Sequence, residues 1–174
     1  MANLPVPNPR TAVAGEFETA AYMNMYRDAI NFLANPPEAT VYQSVAQSFT
    51  SGAAAALTFD ATITDTYGGH SNTTNNTRYA AQVGGTYLLL GTVAWTNVST
   101  GNRNLTFNKN GSAVTQFGGA YPAAGTAVFP QVSAWAKVQL LAGDYVEAIA
   151  YQDSGSTIST HAGGSTLGVL WIHA

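Results

Sequence analysis

From Thr40 onward, apolar and polar positions alternate in short runs rich in Val, Thr, Tyr, Phe and Leu, separated by Gly, Asn and Ser. A period of two places successive side chains on opposite faces, the pattern of β-strands in a sandwich or barrel. The runs predict strands at 41–49, 56–64, 78–83, 86–96, 103–109, 112–117, 131–140, 145–152, 156–161 and 166–173. Between two of them, Lys109-Asn110-Gly111-Ser112 carries the Asn-Gly pair that favours a tight hairpin. "GGHSNTTNNT" at 68–77 is too polar for a core and reads as an exposed loop.

Two runs break the rule of one wet face. In "YLLLGTVAW", Leu88 and Leu90 share one side while Tyr87, Leu89, Val93 and Trp95 share the other. "LGVLWI" at 167–172 is apolar on both sides as well. A strand apolar on both faces must be covered twice. With no helices in the rest of the β region, the economical cover is a neighbouring subunit.

Only residues 16–34 show helical periodicity, through Tyr22, Tyr26, Ala29, Ile30 and Leu33. Thr19 is a candidate N-cap, Glu18 and Arg27 roughly suit the helix dipole, and Asn35-Pro36-Pro37 ends the segment. Met23, Met25 and Phe32 lie off the main stripe, so the helix packs on its own β domain or grips another molecule. Pro5, Pro7 and Pro9 make residues 1–15 an extended arm. The chain therefore divides into an arm and helix, 1–38, and a β domain, 39–174.

Composition sharpens this picture. Charged residues make up only 9%, against about 25% in typical domains. Such a surface is covered by small polar residues or buried against other subunits. Six Lys and Arg against nine Asp and Glu give a net charge of −3. With no basic stripe, nucleic acid is not an expected partner. Cysteine is absent, which excludes disulfides, thiolate metal sites and Cys nucleophiles. "MANLPVPNPR" has no charged region ahead of an apolar one, so no signal peptide is read there. No apolar run approaches the ~18 residues of a membrane span, so no membrane insertion is expected.

"VQLLAGDYVEAIAYQDSG" holds the most suggestive acids, Asp144 and Glu147. A carboxylate pair needs a lined cleft to act as acid and base. Gly143-Asp144 fits a turn better, with Asp bonding local backbone. No nucleophile elbow, phosphate loop or dinucleotide glycine pattern occurs, so an enzyme is not expected. His70, His161 and His173 are scattered and form no metal-ligand spacing; no cofactor is expected. Asn72, Asn75, Asn97, Asn104 and Asn110 each begin an N-x-S/T triplet, a frequency that the Asn and Thr content explains. His70, Asn72, Asn75, Asn76 and Tyr121 are the candidate recognition residues, in 68–77 and 118–129, with a cell-surface glycan as a candidate ligand. The alternative is inert solvated loop.

In order and spacing, several segments resemble the C1q/TNF-like jelly rolls: Phe59-Asp60, Gly85-x-Tyr87, the Asn110-Gly111 hairpin, Gly143-Asp144-x-Val146, and the closing "STLGVLWIHA". The resemblance covers 41–174 and implies an all-β jelly-roll sandwich that forms trimers. Candidate trimer-interface residues are Leu88, Leu90, Trp95, Tyr145, Glu147, Ile149, Tyr151 and Trp171. Alternation puts Val146, Ala148 and Ala150 toward the core, and Tyr145, Glu147, Ile149 and Tyr151 opposite. The resemblance directs that second face to a threefold axis. Three copies of Glu147 would then meet and require a cation, a proton or a base such as Lys109 or Lys137. Glu147 is thus an axial metal candidate.

The first 38 residues look like the leader of small virion proteins of tailed phages, through Asn8-Pro9-Arg10-Thr11, Gly15-Glu16, Arg27-Asp28 and Asn35-Pro36-Pro37. That resemblance implies a structural protein of a virion, made in the host cytoplasm. It would be displayed on the head or tail and held to the major capsid protein or tail proteins by its arm. Pro9, Arg10, Tyr22, Tyr26, Arg27 and Phe32 are the candidate attachment residues. A tail-borne adhesin, or a free ligand-binding module, is the alternative.

Overall fold

A computed structural model of the chain describes residues 7–9, 11, 13–15, 17, 19–114, 119–121 and 129–174. One helix, α1 (Ala20–Ala34), precedes thirteen strands among these residues. They are β1 (Glu38–Tyr42), β2 (Ser48–Phe49), β3 (Ala54–Ala56), β4 (Ala61–Asp65), β5 (Arg78–Ala80), β6 (Gly85–Ala94) and β7 (Arg103–Lys109). Then come β8 (Ser112–Ala113), β9 (Gly119–Tyr121), β10 (Gln131–Leu140), β11 (Tyr145–Gln152), β12 (Ile158–Ser159) and β13 (Thr166–His173).

Two antiparallel sheets face each other. The first has order β10-β6-β13-β1-β4. The second has order β3-β11-β7-β8, with β5 also on β11 and β9 also on β7; β12 and β2 make a separate ribbon. The chain crosses repeatedly between the sheets, as in a jelly roll. Tyr87, Leu89, Val93, Val138, Val169 and Leu167 of the first sheet meet Leu105, Phe107, Val146, Ala148 and Ala150 of the second in one buried core. Core side chains of β10 alternate strictly with exposed ones, because one face of the strand meets the core.

Four strands match their sequence-predicted bounds: 103–109, 131–140, 145–152 and 166–173. The run 41–49 is instead β1 and β2 with a crossing between. Ser44 donates its N–H and hydroxyl to the Asp60 carboxylate. Gln43 donates to Gln47 and Gln47 to the carbonyl of Ala56. Thr58 donates its amide to Gln47 at 3.0 Å. These side chains take backbone partners that a ladder would otherwise use. The run 56–64 splits for the same reason: β3 belongs to one sheet, β4 to the other, and 57–60 is the step between. Of the strand expected at 112–117, β8 is 112–113 and residues 115–118 lie outside the described residues.

The helix begins later than its periodicity suggested, with Thr19 as N-cap accepting from the amide of Tyr22 at 3.2 Å. Glu18 lies outside the described residues. The buried side chains of α1 are Tyr22 and Phe32, whereas Ile30 and Leu33 are 63% and 68% exposed. Phe32 stands edge-on to Trp171, 4.9 Å between centroids, and to Tyr67. Phe32, read as off the stripe, thus docks on the sandwich through Trp171 and Tyr67.

Trp95 was a candidate for contact with a neighbour. It is fully buried, with Phe49 edge-on at 5.1 Å and the Arg103 guanidinium 5.9 Å from its ring centroid. It continues the inward parity of Tyr87, Leu89 and Val93 and is a core residue. Trp95→Ala should therefore cost about 3–5 kcal/mol of folding stability, as other buried aromatics do. Chemical denaturation at fixed protein concentration measures it; a loss under about 1 kcal/mol would contradict this core assignment.

Candidate functional site

Three features present chemistry at the surface. The first is the outward face of the five-stranded sheet. Register aligns Trp135 with Leu90 and Leu90 with Gly168. The next row is Lys137, Leu88, Leu170 and Glu38. Trp135 and Leu90 are 53% and 44% exposed, and Leu170 and Ile172 are exposed beside them. A contiguous apolar strip of this kind marks an interaction surface.

The expected interface residues do not form one surface. Leu88 and Leu90 lie on this strip. Tyr145, Ile149 and Tyr151 are half-buried on β11, in the other sheet. The outward faces of a two-sheet sandwich point in opposite directions, so one threefold axis cannot receive both groups. Trp171 points inward, donates from Nε1 to the Gly84 carbonyl at 3.2 Å and is covered by Phe32. Its cover is the chain's own helix. Leu170 and Ile172, its neighbours of opposite parity, face out.

The second feature is the corner at Gly143-Asp144. Gly143 takes φ +93°, in the left-handed region open to glycine. Asp144 accepts from the Leu141 amide at 2.8 Å and from the Asn110 amide group at 2.7 Å, with Lys109 Nζ 2.9 Å away. The Asn110 carbonyl oxygen accepts from the Tyr145 amide at 2.9 Å. The Asn-Gly hairpin and the Gly-Asp corner thus lock each other. Asn110, the Leu141 amide and Lys109 hold the Asp144 carboxyl down at about 2.

The third feature is a cleft of about 350 Å³ on the second sheet, lined by Gly68–Ser71, Thr74, Asn75, Arg78, Ala80, Gln82, Gly143 and Tyr145. Arg78 is the only cation in this lining. Its Nε meets Glu147 Oε1 at 3.2 Å, and its guanidinium carbon sits 4.0 Å above the Tyr145 ring centre. The Thr77 hydroxyl donates to the same Glu147 oxygen at 2.7 Å. Glu147 is buried against these two side chains, and its base is Arg78. Lys109 serves Asp144, and Lys137 lies on the other sheet. No cluster of metal-ligating side chains occurs among the described residues.

The candidate recognition loop at 68–77 borders this cleft and is stapled. Asp65 accepts from the amides of Gly69 and His70. The His70 ring lies between the carbonyls of Arg78 and Phe59, at 2.7 and 3.0 Å. His70 is therefore a half-buried brace. Asn72 accepts from the Thr62 hydroxyl, Asn75 is exposed with φ +50°, and the Asn76 carbonyl accepts from the Phe59 amide. Tyr121 lies in β9, its side chain outside what is described, as is most of 118–129. Sequence reasoning missed Arg78: "NTRYA" carries no motif, and its partners lie about 70 residues on.

Of the candidate attachment residues, Arg10 lies outside the described residues and Pro9 is half-buried. Tyr22 and Tyr26 share a hydroxyl–hydroxyl bond of 2.9 Å. Arg27 pairs with its neighbour Asp28 at 2.8 Å on the exposed side. Phe32 is taken by the sandwich.

Solved structures share the fold. The chain superposes on the globular domain of zebrafish complement 1qA protein with TM-score 0.55 and 14% identity, covering 79% of this chain and 98% of that one. Eiger TNF from S. frugiperda gives 0.56 and 12%, covering 78% and 92%. Murine APRIL gives 0.57 and 13%, covering 78% and 98%. The fold is thus a C1q/TNF-like jelly roll. No protein-family model matches the chain. No curated protein matches it either.

One test follows from the corner. The Asp144 carboxyl ordinarily titrates near 3.8 and is held at about 2 in the fold. Its contribution is complete above the unfolded value and disappears as pH falls through the folded one. Asp144→Ala should cost about 1–2 kcal/mol at neutral pH through lost hydrogen bonds. The gap to wild type should close between about pH 5 and pH 2. Denaturation across that range measures it; a gap independent of pH would contradict the ionic corner.

Proposed function

We propose that the chain is a non-enzymatic structural protein of a tailed-phage particle. It acts as a homotrimeric jelly roll displayed on the particle surface and anchored by residues 1–38. The observation that carries self-association is the apolar strip of Leu90, Trp135, Leu170 and Ile172 on one sheet face. Burying that strip between copies contributes about 25 cal/mol per Å² of apolar area. It supplies what a chain with 9% charge and no disulfides lacks elsewhere. The C1q/TNF-like fold supports the same reading by analogy of architecture.

The particle assignment rests on the leader, Asn8-Pro9-Arg10-Thr11 through Asn35-Pro36-Pro37. The exposed Ile30, Leu33 and Met23 of α1 give the anchor an apolar side once Phe32 has docked. The acids that invited a catalytic reading are each engaged structurally, Asp144 in its corner and Glu147 with Arg78 and Thr77. A tail-borne adhesin is a second reading, favoured by the polar cleft.

Sedimentation velocity should give three times the chain mass at micromolar concentration. Leu90→Glu with Trp135→Glu should give folded monomer, because three copies of unpaired carboxylates would be buried together. A wild-type monomer would overturn the trimer. Gel densitometry of purified virions tests the particle assignment; absence of the chain from them would overturn it.

A further inference from the structure

We infer that the cleft between loop 66–77 and strand β5 binds a carboxylate-bearing sugar, with Arg78 receiving the carboxylate. The site lies on the second sheet, away from the apolar strip, and the inference is independent of trimer formation.

The guanidinium is fixed before any ligand arrives. Glu147 holds Nε, and the Tyr145 ring covers one face. Among the described residues, no acceptor meets the two terminal nitrogens, and the side chain is 39% exposed. Neighbouring carboxylates are committed elsewhere: Asp65 to the amides of Gly69 and His70, Asp144 to Lys109, Asn110 and Leu141. A planar fork of donors with its orientation set favours a two-oxygen acceptor, and a carboxylate matches that spacing.

The rest of the lining selects a polyol. Ser71, Thr74, Asn75 and Gln82 bring hydroxyls and amides to the rim, and the one aromatic, Tyr145, is already under Arg78. Ala80 leaves the floor between Arg78 and Gln82 open. The wall at Gly69 is backbone pressed onto Tyr79: a Cβ there would come within 2.4 Å of the Tyr79 ring. At about 350 Å³, the cleft falls in the ~300–1,000 Å³ range of small-ligand sites. It lacks the apolar lining that drug-like ligands use.

The test titrates the full chain with glucuronate, galacturonate and N-acetylneuraminate, and with their methyl esters, by ligand-observed NMR and calorimetry. At least one acid should bind, and its ester should bind about tenfold or more weakly, the loss of a charge-assisted pair. Arg78→Ala would strip Glu147 of its base and confound folding with binding, so two other variants are used. Ala80→Glu supplies an internal carboxylate beside Arg78, and Ser71→Trp fills the rim. Each should abolish binding while circular dichroism and thermal midpoint stay unchanged. Failure of all three acids to bind at millimolar concentration overturns the inference. So does equal binding of acid and ester, or binding unaffected by both variants.

Discussion

The ten-residue antiparallel pairing of β6 with β10 is the constraint on which the other features depend. It runs unbroken from Gly85–Leu140 to Ala94–Gln131, and β13 pairs along the other side of β6. Because side chains alternate at every residue, this register fixes parity for three strands at once. Tyr87, Leu89 and Val93 go to the core together with Val138 and Val169. Leu90, Trp135 and Leu170 go out together. A slip of one residue would exchange the two sets and place Lys137 and Gln139 in the core. The apolar strip is therefore not an accident of surface composition. It is the second product of the registration that builds the core.

The ends of the sandwich use a different chemistry. Where the chain steps between sheets, side-chain amides replace the ladder. Gln43 accepts from Thr160, and Gln152 donates to the carbonyls of Phe49 and Ser156. All three of these side chains are fully buried. Buried amides without partners would be costly. With partners they define where each crossing occurs, and the corner of Asn110, Asp144 and Lys109 does the same at a hairpin. A chain without disulfides thus holds its connections by hydrogen bonds that Gln and Asn donate and Asp accepts.

These two chemistries differ in how far they are legible in the sequence. Long strands bounded by turn residues, such as 131–140 and 145–152, were legible to the residue because alternation is local. The role of Gly143-Asp144 was legible because Asp and Gly carry their turn preferences with them. Sheet membership was not. Tyr145 and Leu90 both read as outward apolar positions, and nothing local says that their strands lie in opposite layers. Trp95 read as a surface candidate although its parity with Leu89 and Val93 pointed inward. The crossing at 57–60 looked like strand because Leu57 and Phe59 alternate with polar residues, and both are buried as strand residues are, whereas Val45 in the crossing at 43–47 is exposed. The cleft was invisible for a related reason: Arg78, Tyr145 and Glu147 meet only through the register of β5 with β11.

The stapling of the loop after β4 has a further consequence. Asp65 closes its root onto the amides of Gly69 and His70, and the His70 ring reaches the backbone of β5 and of the step at 57–60, whereas residues 71–75 stand exposed at its tip. Substitutions at the tip can then alter what lies over the cleft without reaching the core, whose stability is set elsewhere. The scaffold separates the positions that must be kept from those free to drift, so a lineage carrying it could diversify one rim while inheriting the rest intact.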